Sequence, residues 1–402
     1  MLNEIKQYIK IFLVKIIRLA LHLGWIFPVR NEQIYFSSHN KQYSCSPKYI
    51  YENLKDHCKK ELLYIWVCCN TGSGDSMTKF VKYGSLKCVF YLLTSKILIS
   101  NQGFSAWIPF RKKQVLIDTW HGGGAYKKIG IRDSEKGKNY YLQFIVKRTG
   151  ARTDFILSSC RKFSDVMSKA MLVAPAKFLP YGMPRNDLFF SSSLNKDLIK
   201  NKIGIDPSIS IILYAPTYRG EPNHNKYILS DSGLDFSAVI NAASARFNRE
   251  FILLYRAHHV MSNIDIESNL FKNVTTYPDM QDLLYIADIL ITDYSSSIWD
   301  FSFSFKPGFL WTPDIEEYVN ERDFYTPISE WPFPFAITNE QLCKNILNFN
   351  EEENIKKIKQ HHAALGSYED GNATKKISNL IMKIIEGKPE NEKDNPCLPE
   401  RR

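Results

Sequence analysis

The chain offers little that would mark it as a metal protein, a disulfide scaffold or a membrane-spanning protein. Its eight cysteines are Cys45, Cys58, Cys68, Cys69, Cys88, Cys160, Cys343 and Cys397, and no two form a Cys-x-x-Cys pair. Most sit in apolar runs. That pattern excludes a zinc ribbon and a small disulfide framework, and reads as reduced, core-filling thiols in a cytoplasmic protein. No uninterrupted stretch of about 20 apolar residues is present, so a spanning helix is not expected. No small-residue cleavage site follows the N-terminal segment, so no secretory leader is expected. No fixed-period repeat and no RNP-type or helix-turn-helix signature is visible, and nucleic acid is not expected as a partner. No carboxylate cluster suggests a metal site. No cofactor is expected, and a divalent-cation requirement is left open.

What is present is a globular composition with a basic excess. The 402 residues are 44% hydrophobic and 23% charged, with a net charge of +10. That length suits two or three domains, and the charge fits nucleic acid, an anionic membrane surface or a polyanionic substrate.

Leu2 to Leu21 carries a helical pattern. Ile5, Ile9, Phe12, Leu13, Ile16, Leu19 and Ala20 share one face, while Asn3, Glu4, Lys6, Gln7, Lys10, Lys15 and Arg18 lie on the other. A basic amphipathic helix of this kind suits the interface of an anionic leaflet. Trp25 and Phe27 extend the apolar surface beyond it. Residues 1–30 are therefore read as a membrane-associating segment, placing the protein peripherally on the cytoplasmic face of the membrane.

Beyond Arg30, short apolar runs alternate with helical patterns. Strands are expected at Gln33–Ser37, Glu61–Cys68, Ser95–Ser100, Gln114–Thr119 and Asp154–Ser158, with helices at Pro47–Asp56 and Ser164–Met171. A polar run, Ser191–Asn195, marks a boundary. A second series follows, with strands at Ser210–Ala215, Phe251–Tyr255, Ile289–Thr292 and Pro307–Trp311, and an extended piece at Asn273–Thr276. Its helices are expected at Ser237–Asn248, Met280–Ala287, from Ser297 to Phe305, and from Ala373 to Ile385. The predicted fold class is α/β: two Rossmann-like domains facing across a cleft, the GT-B-like arrangement, plus the N-terminal amphipathic helix. The expected domains are residues 31–192 and 193–386, with a disordered tail at 387–402.

Ligands of open α/β sheets sit at the carboxyl ends of strands, so motifs just after strands carry the most weight. After the strand ending at Thr119 stands Trp120-His121-Gly122-Gly123-Gly124-Ala125-Tyr126-Lys127-Lys128. Glycines let backbone amides approach a ligand, His121 has an ordinary pKa suited to proton transfer, and Lys127 and Lys128 would steer an anion or acceptor. Thr217 and Arg219 in APTYR could reach a phosphate. Arg256 and His258 in RAHH lie two apart in extended chain, so they point the same way. Asp293 ends a strand, and Ser295, Ser296 and Ser297 then open a helix whose hydroxyls and amides suit an anion. Arg185, in GMPRND near the boundary, is expected to face the cleft, and Arg185 and Asp293 join Thr217, Arg219, Arg256, Ser295, Ser296 and Ser297 as expected donor-binding residues. Each motif also has a plain structural reading as a turn or cap.

In this order the motifs resemble the CDP-glycerol glycerophosphotransferase family of teichoic acid and capsule synthesis. The carrying pieces are SSHNKQYSCSPKYIYENL, DTWHGGGAYKKIG, GMPRNDLF, ILYAPTYR, RAHH, DLLYIADILITDYSSSIWDF followed by KP, and DGNAT. The match runs from about Gln33 to about Ile385. The resemblance implies a GT-B fold and transfer of glycerol phosphate or ribitol phosphate, from CDP-glycerol or CDP-ribitol, to a lipid-linked polyanionic acceptor with release of CMP. It implies His121 as general base, His258 as a donor-phosphate contact, and Ser295 and Ser296 as pyrophosphate holders. Two departures stand out: Gly123 and Gly124 replace a frequent Thr-Pro, and His259 stands where Pro is usual. The chain also lacks the extra N-terminal region of long polymerases. The rival readings are a GT-B nucleotide-sugar glycosyltransferase and a non-catalytic surface-binding protein.

Overall fold

The computed structural model describes residues 2–69, 74–131, 139–191, 194–217, 233–257, 271–321 and 323–387. The chain divides into two compact units. One comprises residues 1–121, 129–187 and 367–402, and the other residues 122–128 and 188–366.

The first unit opens with helix α1 (Leu2–Leu21) and a short 3-10 turn at His22–Ile26. There follow β1 (Arg30–Ser37), α2 (Cys45–His57), β2 (Leu63–Cys68), β3 (Thr78–Lys82), α3 (Leu86–Thr94), β4 (Ser95–Ser100), β5 (Val115–Asp118), α4 (Tyr140–Arg152), β6 (Phe155–Leu157), α5 (Arg161–Ala170) and β7 (Phe178–Leu179). The strands form one parallel sheet in the order β3-β2-β1-β4-β5-β6-β7. Strands of a sheet covered on both faces read as continuous apolar runs, because each face buries alternate residues. Ile34, Phe36, Trp66, Ile97, Ile99 and Ile117 pack on one side. Tyr35, Ile65, Val67, Leu98 and Leu116 pack on the other. Each such aliphatic side chain contributes roughly 1.5–3 kcal/mol of transfer free energy.

The second unit contains α6 (Lys196–Lys202), β8 (Ser210–Tyr214), α7 (Phe236–Phe247), β9 (Phe251–Tyr255), β10 (Phe271–Asn273), α8 (Met280–Ile286), β11 (Ile289–Thr292), α9 (Ser297–Ser302), β12 (Gly308–Trp311), α10 (Ile315–Glu321), β13 (Phe335–Ala336), α11 (Asn339–Leu347) and α12 (Glu351–Leu365). Its six-stranded parallel sheet runs β10-β9-β8-β11-β12-β13. The chain then returns to the first unit as α13 (Ala373–Glu386).

Two parallel-sheet, Rossmann-like units with an N-terminal helix are the expected fold class. The division differs from the expected continuous segments 31–192 and 193–386 at three places. The break falls at 187/188, residues 122–128 join the second unit, and everything from Ser367 joins the first. The cause of the last is packing. Ile377, Leu380, Ile381 and Ile385 of α13 are buried in the core that holds Ile34, Phe36 and Trp66. Two further local differences appear. The extended piece expected at Asn273–Thr276 is the strand Phe271–Asn273. The helix expected to run from Ser297 to Phe305 is only the six residues Ser297–Ser302. The tail proposed as disordered lies, apart from Gly387, outside the described residues. Among the described residues no helix is long and apolar enough to cross a membrane.

Candidate active site

In both sheets the strand order reverses beside the first strand of the series, between β1 and β4 and between β8 and β11. Such switch points open a crevice at the strand ends where ligands bind. His121 stands by the ends of β4 and β5 in the first unit, and Thr217 and Asp293 follow β8 and β11 in the second.

In the first unit, β5 ends at Asp118 and Thr119-Trp120-His121 follow. The Thr119 amide donates to the Ser100 carbonyl at 2.8 Å, tying this turn to the end of β4. Trp120 takes a left-handed backbone, φ 53°. That conformation is costly for a bulky side chain and survives where surrounding structure enforces it, often at functional sites. Here the Asp118 carboxylate enforces it by accepting the Trp120 amide at 2.8 Å. The turn presents His121, whose Nδ1 lies 2.6 Å from the Asn101 carbonyl oxygen. A carbonyl can only accept, so Nδ1 carries the proton and Nε2 keeps its lone pair.

Packing around the ring pushes the His121 pKa down to about 4, opposed by the Asn101 carbonyl and reinforced by His39 and Arg185. The residue as a whole is nonetheless exposed to solvent, and that contact tempers the depression. Either way the imidazole is neutral near pH 7. The His39 ring lies 5.8 Å away at an interplanar angle of 21°. Its own pKa is lowered by burial and by Lys41.

Beneath the turn, complete burial raises the Asp118 pKa to about 7, with the amides of Trp120 and Gly103 pulling it back. Asp118 Oδ2 has no hydrogen-bond partner among the described residues, and the Gly103 amide acts there as a nearby dipole. Asn101 is also buried, and neither atom of its carboxamide is hydrogen-bonded among the described residues. An unpaired buried amide costs about 1–3 kcal/mol.

Arg185 is buried, and its Nη1 donates to Cys45 Sγ at 3.3 Å. Its segment is clamped by the segment that precedes α13. Glu369 accepts the Met183 amide at 2.9 Å and the Asn186 side-chain amide at 3.0 Å. Asp187 accepts the Ala373 and Thr374 amides at 3.0 and 2.7 Å, capping α13. Gly182 has φ +82°, and a Cβ there would lie 2.7 Å from Glu369 Oε2. GMPRND and DGNAT are thus two halves of one lock that fixes Arg185.

Residues 122–128 pack within the second unit. Gly123 lies flat on Trp299, where a Cβ would come 2.0 Å from the indole Cδ1. Gly124 has φ +74°, and its Cβ would meet Tyr126 at 2.6 Å. Close packing on an indole therefore explains the glycines that replace Thr-Pro. Tyr126 Oη is 2.9 Å from His361 Nε2. Lys128 forms an ion pair with Asp323, and Lys127 Nζ lies 5.7 Å from the centre of the Tyr318 ring. Gly122 is half-buried.

At the second unit's switch point, Asp293 accepts the Thr217 amide at 2.9 Å and its hydroxyl at 2.7 Å. Two residues expected to bind donor are thus fastened to each other across the ends of β8 and β11. Arg256 follows β9. Its Nη1 donates to the Tyr277 carbonyl at 2.7 Å, and burial lowers its pKa to about 10 against the pull of Asp279 and Tyr277. Ser297 donates from its hydroxyl to Ser295 Oγ at 3.0 Å, and Ser296 makes no side-chain capping bond. A helix of six residues has little macrodipole, so the helix end itself offers little charge at Ser295–Ser297. Lys306, of the Lys-Pro pair after α9, donates to the Tyr285 and Ala287 carbonyls at the C-terminus of α8. Arg219, His258 and His259 lie outside the described residues. Among the described residues no group of three or more His, Cys, Asp or Glu could hold a metal ion.

Each unit thus carries polar side chains at the ends of its strands, His121 in the first and Thr217, Arg256 and Asp293 in the second. A family profile described as CDP-glycerol:poly(glycerophosphate) glycerophosphotransferase matches residues 19–383. The chain belongs to that family. A teichoic acid poly(glycerol phosphate) polymerase of Bacillus spizizenii is 28% identical over 404 residues, covering 95% of this chain and 100% of the relative. A teichoic acid glycerol-phosphate transferase of Staphylococcus aureus is 28% identical, covering 87% and 92%. Among solved structures, the wall teichoic acid polymerase TagF superposes with a TM-score of 0.80 at 24% identity, covering 97% of this chain and 100% of that one. The protein is accordingly an enzyme of the CDP-glycerol glycerophosphotransferase class.

Sequence reasoning missed His39, Asn101 and Asp118. Each stands at or just after the end of a strand, the position that singled out His121; SSHN, SNQG and the first residue of DTWHGGG carried that signal.

Proposed function

We propose that the protein transfers glycerol phosphate from CDP-glycerol to a hydroxyl of a membrane-linked, polyanionic acceptor in teichoic acid or capsule-type polymer synthesis, releasing CMP. It works as a peripheral protein at the cytoplasmic face of the membrane, with α1 on the anionic surface. The neutral His121 Nε2 takes the acceptor hydroxyl's proton as that oxygen bonds to the β-phosphorus of the donor. The bond from that phosphorus to CMP breaks, and the electron pair leaves with CMP. Arg256, Thr217 and the hydroxyls of Ser295, Ser296 and Ser297 meet the phosphoryl charge, with Arg219 and His258 joining them. Asp293 positions Thr217, and Arg185 holds the electrostatic setting of His121. Phosphoryl transfer needs placement and charge stabilisation more than covalent help.

The observation that carries this reading is the Nδ1 bond of His121 to the Asn101 carbonyl at 2.6 Å. It fixes the tautomer that a general base requires. The experiment is incubation with CDP-glycerol, CDP-ribitol or a UDP-sugar, in turn, over membranes bearing acceptor. CMP release from CDP-glycerol, with the label entering the membrane fraction, is expected. UDP release from a UDP-sugar with CDP-glycerol untouched would overturn the reading, and preference for CDP-ribitol would reassign the polyol.

A further inference from the structure

α1 packs along α4. Tyr8 stacks on Tyr140 at 5.5 Å, and Gln7 Oε1 accepts the Tyr141 amide at 3.3 Å. This leaves Ile9, Phe12, Leu13, Ile16 and Leu19 substantially exposed, Phe12 at 62% and Leu19 at 73%. Arg18 sits between the exposed Ile17 and Leu19 and turns inward, donating to the Ala106 carbonyl at 2.9 Å and to that of Ile108.

Next to it lies a cavity of about 430 Å³. That size lies within the range of about 300–1,000 Å³ usual for small-molecule sites. Phe104, Phe110 and Phe144 wall it, and Arg18, Lys147 and Arg148 stand in its lining, with no carboxylate among the lining residues. Arg152, also in the lining, is answered by Asp154 at 2.8 Å. The other three cations have no ion pair among the described residues. Arg148 Nε is buried and lacks a hydrogen-bond partner among the described residues. The Arg148 charge also acts on Arg18, lowering its pKa together with burial. Two like charges in a half-buried, aromatic-walled space are unfavourable without an anion to offset them.

We propose that this cavity binds the phosphate headgroup of one anionic glycerophospholipid, with the start of its acyl chain against Phe104, Phe110 and Phe144. The cations select the charge and the rings select an amphiphile over a hydrated ion. The position of Arg18 on α1 puts the site beside the apolar surface that would meet a bilayer. The inference rests on the membrane-surface reading of α1 and goes beyond it, from a diffuse attraction to one stoichiometric lipid site.

The test uses the full chain and dihexanoyl-phosphatidylglycerol below its micelle concentration, followed by titration calorimetry. Saturable one-to-one binding is expected, with dihexanoyl-phosphatidylcholine and inorganic phosphate each at least about tenfold weaker. Arg148→Gln removes a side chain that makes no hydrogen bond among the described residues, so its melting temperature should stay close to that of the parent. Its affinity should fall about tenfold to a hundredfold, the range for losing a charge-assisted contact. Absence of saturable binding, equal binding of inorganic phosphate, or undiminished binding by Arg148→Gln would each overturn the site. Cosedimentation of the unaltered protein with phosphatidylglycerol vesicles tests the membrane reading separately. Vesicle binding alongside a failed short-chain titration would sink only the cavity.

Discussion

Lowering the pH separates a depressed histidine from an ordinary one. With a pKa of about 4, His121 should keep its Nε2 lone pair over most of the mildly acid range. At pH 5.5 such a group is about 97% neutral, whereas a histidine at the ordinary value of about 6.5 is only about 9% neutral. kcat/KM for CMP release from CDP-glycerol should therefore change little between pH 7.5 and 5.5 on account of this residue. An unperturbed base would lose roughly tenfold over the same interval. The cause is local: protein packed about the ring, with the charges of His39 and Arg185 adding to it. Replacing His39 with Gln removes one lowering contribution and should move the acid limb slightly up, toward the ordinary histidine value. Replacing His121 with Gln should cost about a hundredfold to ten-thousandfold in turnover, the usual share of a general base. The assay is single-turnover CMP release with saturating acceptor, with near-ultraviolet circular dichroism at each pH as the folding control. An acid limb centred near 6.5 in the parent, or a His121→Gln enzyme within threefold of it, would refute the assignment.

Gly123→Ala would drive a methyl into the Trp299 indole, where the added carbon would sit 2.0 Å from Cδ1. Overpacking of this kind costs about 1–3 kcal/mol, readable as a lower urea midpoint at constant slope. His361 is buried, and desolvation holds its pKa at about 4. The neutral form is the one the fold favours, so its stabilising contribution is complete above about pH 6.5 and is lost as the pH falls toward 4, in total about 3 kcal/mol. His361→Gln should accept the Tyr126 hydroxyl without titrating, and should show a shallower loss of denaturation midpoint between those values. An identical acid slope would contradict the assignment.

The relation between sequence and structure differs from element to element. Ser95–Ser100, Phe251–Tyr255 and Ile289–Thr292 fall where apolar runs bounded by polar residues place them. α1 also spans the expected residues. Those signals are local, because side-chain periodicity follows from backbone geometry within a few residues. The positions of His121 and Asp293 after strands were readable for the same reason.

Other features needed partners far away in the chain. The apolar face of α13 would suit either sheet; the Asp187 cap and the side chains of Ile34, Phe36 and Trp66 settle that it covers the first. The six-residue length of α9 and the burial of Gly123 against Trp299 depend on side chains packed together from separate segments. The same holds for the chemistry of His121. Its residue type was plain, but the side of the ring that carries the proton is set by a carbonyl 20 residues earlier, and its charge state by how much protein surrounds it. Residue type and spacing are properties of the chain. Proton position and desolvation belong to the folded surroundings, which exist only once strands distant in sequence lie side by side.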